Sequence, residues 1–376
     1  MSFVITAGGT GGHVSPALAV AAELQKLGKH VVFAGSTGGM EERLAREAGL
    51  EYQAFSARGF NRQRPWTLLS SGAVLARSTG RACRWLCEVQ ARVVGAFGGY
   101  VSVPVGRAAV REGVPLLIHE QNSHMGWANR HLSKHADVIA LTYEAAADAL
   151  DASARERVEL TGNPVRPEFA ALADAKHTTR LRHNFRQELG IEHGDLVLLV
   201  FGGSQGARHI NRAVVRHATA LLQRPALTVL HLTGPKEYQS VAAALAQEFG
   251  GSIPQAWQLM DYCDRMPEAF AAADLVLCRA GASSLAEVSA AGRPALLVPY
   301  PYATADHQRK NAESLVAAGA AQRVLDAELD GPRFSEVLFT LLDNAETRAR
   351  MLTAAAELSE AGAARRVAEL LVGIAR

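Results

Sequence analysis

Short apolar runs alternate along this chain with longer segments whose apolar residues recur every three to four positions. The first run, Phe3 to Ala7 (FVITA), reads as a buried strand. Ser15 and Pro16 then read as an N-cap and a first helical residue. Ala17, Leu18, Val20, Ala21, Leu24 and Leu27 mark one face of a helix that Gly28 ends. Val31 to Ala34 is the next strand, and further strands are predicted near 51–55, 92–97, 115–118, 137–141 and 157–160. Strands apolar on both faces, each followed by a helix, belong to parallel sheets covered on both sides. Residues 161–167 (TGNPVRP) have the composition of a hinge. Beyond it lie a basic helical stretch and a fresh strand, Leu196 to Phe201, then strands near 226–232, 255–259, 274–278, 294–298 and 321–325. From Ala345 the pattern is helical with a break near Gly362, a tail of the kind that packs back on a first domain.

The two halves start alike. Residues 3–12 (FVITAGGTGG) and 198–207 (LLVFGGSQGA) both run from an apolar strand through two glycines, a hydroxyl residue and a further glycine into a helix. This weak internal repeat predicts an α/β protein of two Rossmann-like, doubly wound parallel-sheet domains. A length of 376 residues also favours two cores. The expected domains are 1–163 and 164–344, with 345–376 returning to the first.

Composition narrows the class. Apolar residues make up 48%, enough for packed interiors and against disorder. With 39 basic and 37 acidic residues the net charge is +2, which argues against nucleic acid as a partner. The four cysteines, at 83, 87, 263 and 278, form no C-x-x-C pair, so neither a zinc knuckle nor a disulfide framework is predicted. The first strand starts at Phe3, leaving no room for a signal peptide, and no apolar run approaches the ~18 residues of a membrane span. A soluble cytoplasmic protein is the expectation.

Neither glycine loop is G-x-G-x-x-G, and no P-loop occurs. The second strand ends Ala34-Gly35-Ser36, without the acidic residue a nicotinamide site wants, so a dinucleotide is disfavoured. The glycines have two readings: tight strand-to-helix turns, or close approach of backbone N–H groups to phosphate. A third pair, Gly98-Gly99, favours phosphate contact in at least one loop. The candidates are Thr10, Gly11 and Gly12 in the first loop and Ser204, Gln205 and Gly206 in the second. No D-x-D pair is present to hold a divalent ion against a diphosphate, so helix N-termini are expected to neutralise it without metal.

Residues 274–311 read as strand, polar turn, helix, strand and a second helix start. Two polar helix starts after consecutive strands make a pocket for an anionic, hydroxyl-rich ligand, edged by Ala282, Ser283, Glu287, His307 and Gln308. Glu287 either closes an S-x-x-E capping box with Ser284 or accepts hydrogen bonds from ribose hydroxyls. His13 either packs on its turn or acts as a general base. Arg77, Arg81 and Arg84 share a helix face, near Trp66, Leu68, Leu69 and Trp85. They form either a solvated edge or a patch that rests on anionic lipid headgroups while the apolar residues dip in.

Several segments taken together resemble the MurG family of bacterial β-N-acetylglucosaminyltransferases. They are GGTGGHVSPALAVA (8–21), GGYVSVP (98–104), HEQNSHMGWAN (119–129), TGNPVR (161–166), GGSQGA (202–207), CRAGASSLAEVSAAGRPALLVP (278–299) and DHQRKN (306–311). They run in the family order over most of the chain, with Val103 standing where the family has glycine. The resemblance implies a GT-B fold whose two domains face a cleft, with acceptor in the N-terminal half and UDP-N-acetylglucosamine in the C-terminal half. It implies inverting transfer of N-acetylglucosamine to the muramoyl 4-hydroxyl of undecaprenyl-pyrophosphoryl-MurNAc-pentapeptide, in peptidoglycan synthesis.

The resemblance also implies residue roles. His13 becomes the leading base, Glu287 the ribose ligand, Ser204 a diphosphate contact and Arg166 a contact to phosphate or uridine. His307 and Gln308 are set against the sugar, and the loop holding Cys263 reads uracil through its backbone. Among the four polar residues after the strand 116–118, Glu120 and Asn122 are acceptor-binding candidates. The implied place is the cytoplasmic face of the bacterial inner membrane, as a peripheral protein, with cell-wall synthesis proteins as partners. The rivals are a UDP-N-acetylglucosamine 2-epimerase, a diacylglycerol glucosyltransferase and a non-catalytic membrane-docking subunit that binds sugar nucleotides. An epimerase has no need of the basic aromatic segment, and a non-catalytic subunit would be expected to lack one of the halves.

Overall fold

The computed structural model describes residues 1–56, 67–203, 206–358 and 362–376, with 67–73 and 304 by backbone alone. The chain forms two compact units, residues 1–167 with 362–376, and residues 168–361. In the first unit the strands are β1 (Ser2–Thr6), β2 (Val31–Ser36), β3 (Glu51–Phe55), β4 (Ala91–Ala96), β5 (Leu116–Glu120), β6 (Val138–Leu141) and β7 (Val158–Leu160). They lie in the order β3-β2-β1-β4-β5-β6-β7, every pair parallel. In the second unit β8 (Leu196–Phe201), β9 (Leu227–Leu232), β10 (Trp257–Met260), β11 (Leu275–Cys278), β12 (Ala295–Leu297) and β13 (Ala321–Arg323) lie in the order β10-β9-β8-β11-β12-β13, also all parallel. Both sheets therefore wind outward in two directions from a central pair, β1/β4 and β8/β11. These are the doubly wound, Rossmann-like sheets that the alternating pattern predicts.

Strand side chains alternate between two layers, and both layers are apolar, which is why these strands read as continuous runs. Phe3 and Ile5 join Val14, Val20, Leu24 and Leu371 in one cluster. Val4 joins Val94, Val101, Val105 and Leu132 in the other. A central pair from which connections run to opposite sides leaves a crevice at the strands' carboxyl ends. In the first unit that crevice takes the turns after β1 and β4, and in the second those after β8 and β11.

Three local expectations change. The first helix spans Gly11–Lys26 with Thr10 as N-cap, not Ser15, and Pro16 lies inside it. The amides of His13 and Val14 bond to Thr10 O, and a proline this near the helix start forfeits only one hydrogen bond. This winds Gly11, Gly12 and His13 into the first turn. Strand β5 runs on to Glu120, so His119 and Glu120 belong to the sheet. The C-terminal tail divides: Ala345–Glu357 packs on Pro332–Asp343 and Ala282–Ala291 in the second unit, whereas Ala363–Ile374 packs on Gly11–Lys26 and β4 in the first.

Candidate active site

In the first unit the turns after β1 and β4 are in contact. The Phe97 amide donates to Thr6 O, and the Ser102 hydroxyl to Gly98 O at 2.7 Å. Gly99 has φ +83°, and a Cβ there would stand 2.2 Å from Gly8 O, so the chain itself demands glycine. Gly11 is different. Its φ is ordinary for a helix, and a Cβ would meet nothing within 4 Å. Among the described residues nothing requires glycine at the first turn of this helix, where the dipole is positive. The tight-turn reading of the glycines therefore holds at Gly99 and does not account for Gly11. Val103 stands in the first turn of the Ser102–Glu112 helix, 1% exposed and with no left-handed backbone, so glycine is not needed there.

His13 is half-buried, and its Nδ1 lies 2.9 Å from Gln121 Oε1. Gln121 and His119 are fully buried behind it. The Glu120 carboxylate, 1% exposed, serves its own loop. Its Oε1 accepts from the Asn122 amide and side chain at 3.1 and 3.2 Å, and its Oε2 from the Gly126 amide and the Asn129 side chain, both at 2.9 Å. Glu120 thus shapes the segment that carries Asn122. Arg166 is half-buried at the end of this unit.

In the second unit, Gly202 and Gly206 are fixed by close backbone: a Cβ would stand 2.3 Å from Ala207 N and 2.4 Å from Thr233 O respectively. Gly203, at φ +86°, faces open space. Ser204 and Gln205 lie outside the described residues. After β11, Arg279 is nearly buried, donates to Val298 O and Pro299 O, and pairs with Asp326. Asp326 also meets His209 Nδ1 at 2.7 Å, which raises the histidine's pKa.

Gly281 is the N-cap of the Ala282–Ala291 helix, and Gly292 its left-handed C-terminal cap. Ser284 lies inside the first turn, so the S-x-x-E capping box does not form. Glu287 is half-buried on this helix. Burial pushes the Cys278 thiol up, and the Glu287 charge adds to the shift. The side chain of Gln308 accepts from the Tyr300 amide at 2.9 Å, and its Nε2 lies 3.8 Å from where a Gly281 Cβ would be. The two polar helix starts are therefore neighbours, with Ala282 and Ser283 on one and His307 and Gln308 on the other. Ala305 and Asp306, just before the second, both take left-handed backbone, at φ +52° and +55°. Cys263 is half-buried after β10, and burial raises its thiol.

On the Thr67–Glu88 helix Arg77, Arg81 and Arg84 are exposed. Trp85 is half-buried and sets its ring edge-on to Phe55 at 5.4 Å, so it belongs to the packing. Trp66 lies outside the described residues, and Leu68 and Leu69 are described by backbone alone. Among the described residues no helix is long and apolar enough to cross a membrane, and no three His, Cys, Asp or Glu side chains group to hold a metal ion.

Both halves of the chain match known proteins. Residues 3–141 match the model of the Glycosyltransferase family 28 N-terminal domain, and 197–367 that of the Glycosyltransferase family 28 C-terminal domain. The UDP-N-acetylglucosamine--N-acetylmuramyl-(pentapeptide) pyrophosphoryl-undecaprenol N-acetylglucosamine transferase of Halothermothrix orenii is 39% identical over 352 residues, 93% of this chain and 93% of its own. The chain belongs to the MurG family of glycosyltransferases. Another member with the same enzyme name, from Solibacter usitatus, is 36% identical over 383 residues, 100% of this chain and 96% of its own. The crystal structure of Acinetobacter baumannii MurG matches with a TM-score of 0.74 at 28% identity over 99% of both chains, and the fold is that GT-B fold. Anabaena HepE in complex with UDP, at 15% identity and a TM-score of 0.62 over 99% of both chains, shares the fold alone.

The sequence sets His119 and Gln121 among four polar residues at a strand end, and gives a role only to Glu120 and Asn122. One signal was available: a histidine and a glutamine two apart at a strand end share a face and can bond to each other.

Proposed function

We propose that this chain transfers N-acetylglucosamine from UDP-N-acetylglucosamine to undecaprenyl-pyrophosphoryl-MurNAc-pentapeptide, in peptidoglycan synthesis. Membership of the MurG family over the whole chain, with both halves matched, carries this reading. The second unit takes the donor. Its diphosphate faces the glycine turn after β8, with Ser204, Gln205 and Gly206, and the N-terminus of Ala282–Ala291, with Ala282 and Ser283. Glu287 accepts from the ribose hydroxyls, the loop of Cys263 reads uracil, and His307 and Gln308 meet the sugar. Arg166 approaches a phosphate or the uridine.

The first unit takes the acceptor, with Asn122 on the loop that Glu120 organises, while Thr10, Gly11 and Gly12, at an anion-attracting helix start, contact the donor. His13 removes the proton of the acceptor hydroxyl as its oxygen attacks the anomeric carbon with inversion. UDP leaves with its charge met by backbone N–H groups and helix dipoles. Arg77, Arg81 and Arg84 rest on anionic lipid at the cytoplasmic face of the inner membrane.

Radiolabelled UDP-N-acetylglucosamine incubated with a prenyl-linked muramoyl-pentapeptide tests the reading. Label is expected in the lipid-extractable product only when acceptor is present, and turnover is expected to persist in chelator. Conversion of the donor to its 2-epimer without acceptor would overturn the reading.

A further inference from the structure

Gln121 stands between two histidines, and its orientation is settled by what surrounds it. Its Nε2 lies 2.9 Å from Phe97 O and 3.1 Å from both His119 O and His119 Nδ1. Backbone carbonyls only accept, so this atom is the amide nitrogen and the atom facing His13 is the carbonyl oxygen. His119 Nε2 lies 3.0 Å from Gly162 O, so Nε2 carries the His119 proton and Nδ1 offers a lone pair to the amide. Burial pushes the His119 pKa down to about 4, which keeps that ring neutral near neutral pH. The oxygen of Gln121 can only accept, so His13 Nδ1, 2.9 Å away, is a donor.

We propose that Gln121 is a positioning residue for the transfer: it holds neutral His13 as the Nδ1–H tautomer and leaves the lone pair on Nε2, the ring nitrogen turned away from the buried amide. The proposal rests on His13 being the base. The acceptor O–H gives its proton to Nε2, the oxygen's electron pair forms the bond to the anomeric carbon, and the electron pair of the broken C–O bond departs with UDP. The imidazolium so formed keeps its Nδ1–H on the Gln121 oxygen, so no side chain reorients. A neutral histidine free in water favours the proton on Nε2, where the base needs a lone pair. The amide orients the ring as a carboxylate does in Ser-His-Asp sites, without a charge and without taking the proton. His119 and the two carbonyls keep the amide from turning over.

Histidine ¹⁵N NMR separates protonated from bare ring nitrogens, with the His13 signals assigned by their loss in His13→Asn. The native enzyme is expected to show a protonated Nδ1 and a bare Nε2. Gln121→Met is expected to move the proton toward Nε2 and to lower kcat about 10-fold to 100-fold, with KM for UDP-N-acetylglucosamine kept within about twofold. Gln121→Glu keeps an acceptor opposite Nδ1, and is expected to keep the native tautomer and recover most of the lost kcat. A native enzyme protonated at Nε2 overturns the proposal whether or not the variants fold, as does a Gln121→Met enzyme with native turnover. Near-native turnover in His13→Ala removes the base reading itself, and with it the catalytic meaning of an Nδ1–H tautomer that the spectrum would still show.

Discussion

Glu287 and the buried histidines give sharp expectations at the scale of single residues. The N-cap of the helix that carries Glu287 is Gly281, so the carboxylate does not cap its helix. Glu287→Gln is expected to leave the melting temperature near native and to raise KM for UDP-N-acetylglucosamine about 10-fold or more, the worth of a charge-assisted hydrogen bond. A lowered melting temperature with unchanged KM would return the residue to a structural role. His119 and His231 are fully buried, and desolvation pushes their pKa values down to about 4 and about 3. The unfolded chain takes up these protons near 6.5 and the folded one does not. Stability is therefore fully present above about pH 6.5 and is lost as pH falls toward the folded values, by roughly 2 kcal/mol per histidine at pH 5. His209, raised by Asp326, works against this in the second unit, its contribution being present at low pH and lost as pH rises. Urea midpoints at pH 7.5 and pH 5 check this, and the first unit is expected to lose more.

At the scale of elements, the glycine turns divide by what surrounds each residue. Gly99→Ala puts a methyl group 2.2 Å from Gly8 O on left-handed backbone, so a loss of about 2 kcal/mol or more is expected, read as a lower melting temperature. Gly11→Ala meets open space in a helix, where alanine is the better helix former, so stability is expected to hold or rise slightly. Its effect is expected in KM for UDP-N-acetylglucosamine, and an unchanged KM would count against ligand approach at this turn. The basic stretch after the hinge also has a structural task. Arg182 and Arg186, on the Ala175–Glu188 helix, donate to the carbonyls of Ala271–Ala273 at the end of the Met266–Ala272 helix, and both pair with Asp274. Together they satisfy a helix C-terminus that has no further turn of its own.

At the scale of the molecule, one chain crosses from the first unit to the second and returns. The last helix, Ala363–Ile374, buries Val367, Ala368 and Leu371 against Phe3, Ile5 and Val14. Arg366 donates to Thr161 O at 2.6 and 3.1 Å. Removing residues 362–376 is expected to cost the first unit on the order of 5 kcal/mol of apolar burial. The second unit has its own apolar cluster, which this helix does not enter. Calorimetry with UDP separates the two: saturating UDP is expected to raise the second unit's transition more than the first unit's, and the truncation to lower only the first unit's. A truncated chain whose two transitions both match the native ones would show that the tail adds nothing to the first core.

Thirteen strands, the passage between units near 161–167, the repeat of glycine turns and the two helices that follow β11 and β12 were legible in the sequence. Each is a local pattern, an apolar period or a turn residue, and such patterns survive in one dimension. What tertiary contact alone decided is non-local. Gly99 is required because Gly8 lies against it, the Glu120 carboxylate is spent on the loop that follows it, and the helical tail divides between two cores. His13 meets Gln121 only because β1 and β5, parallel strands on either side of β4, deliver their carboxyl ends to one place, and no spacing along the chain encodes that meeting.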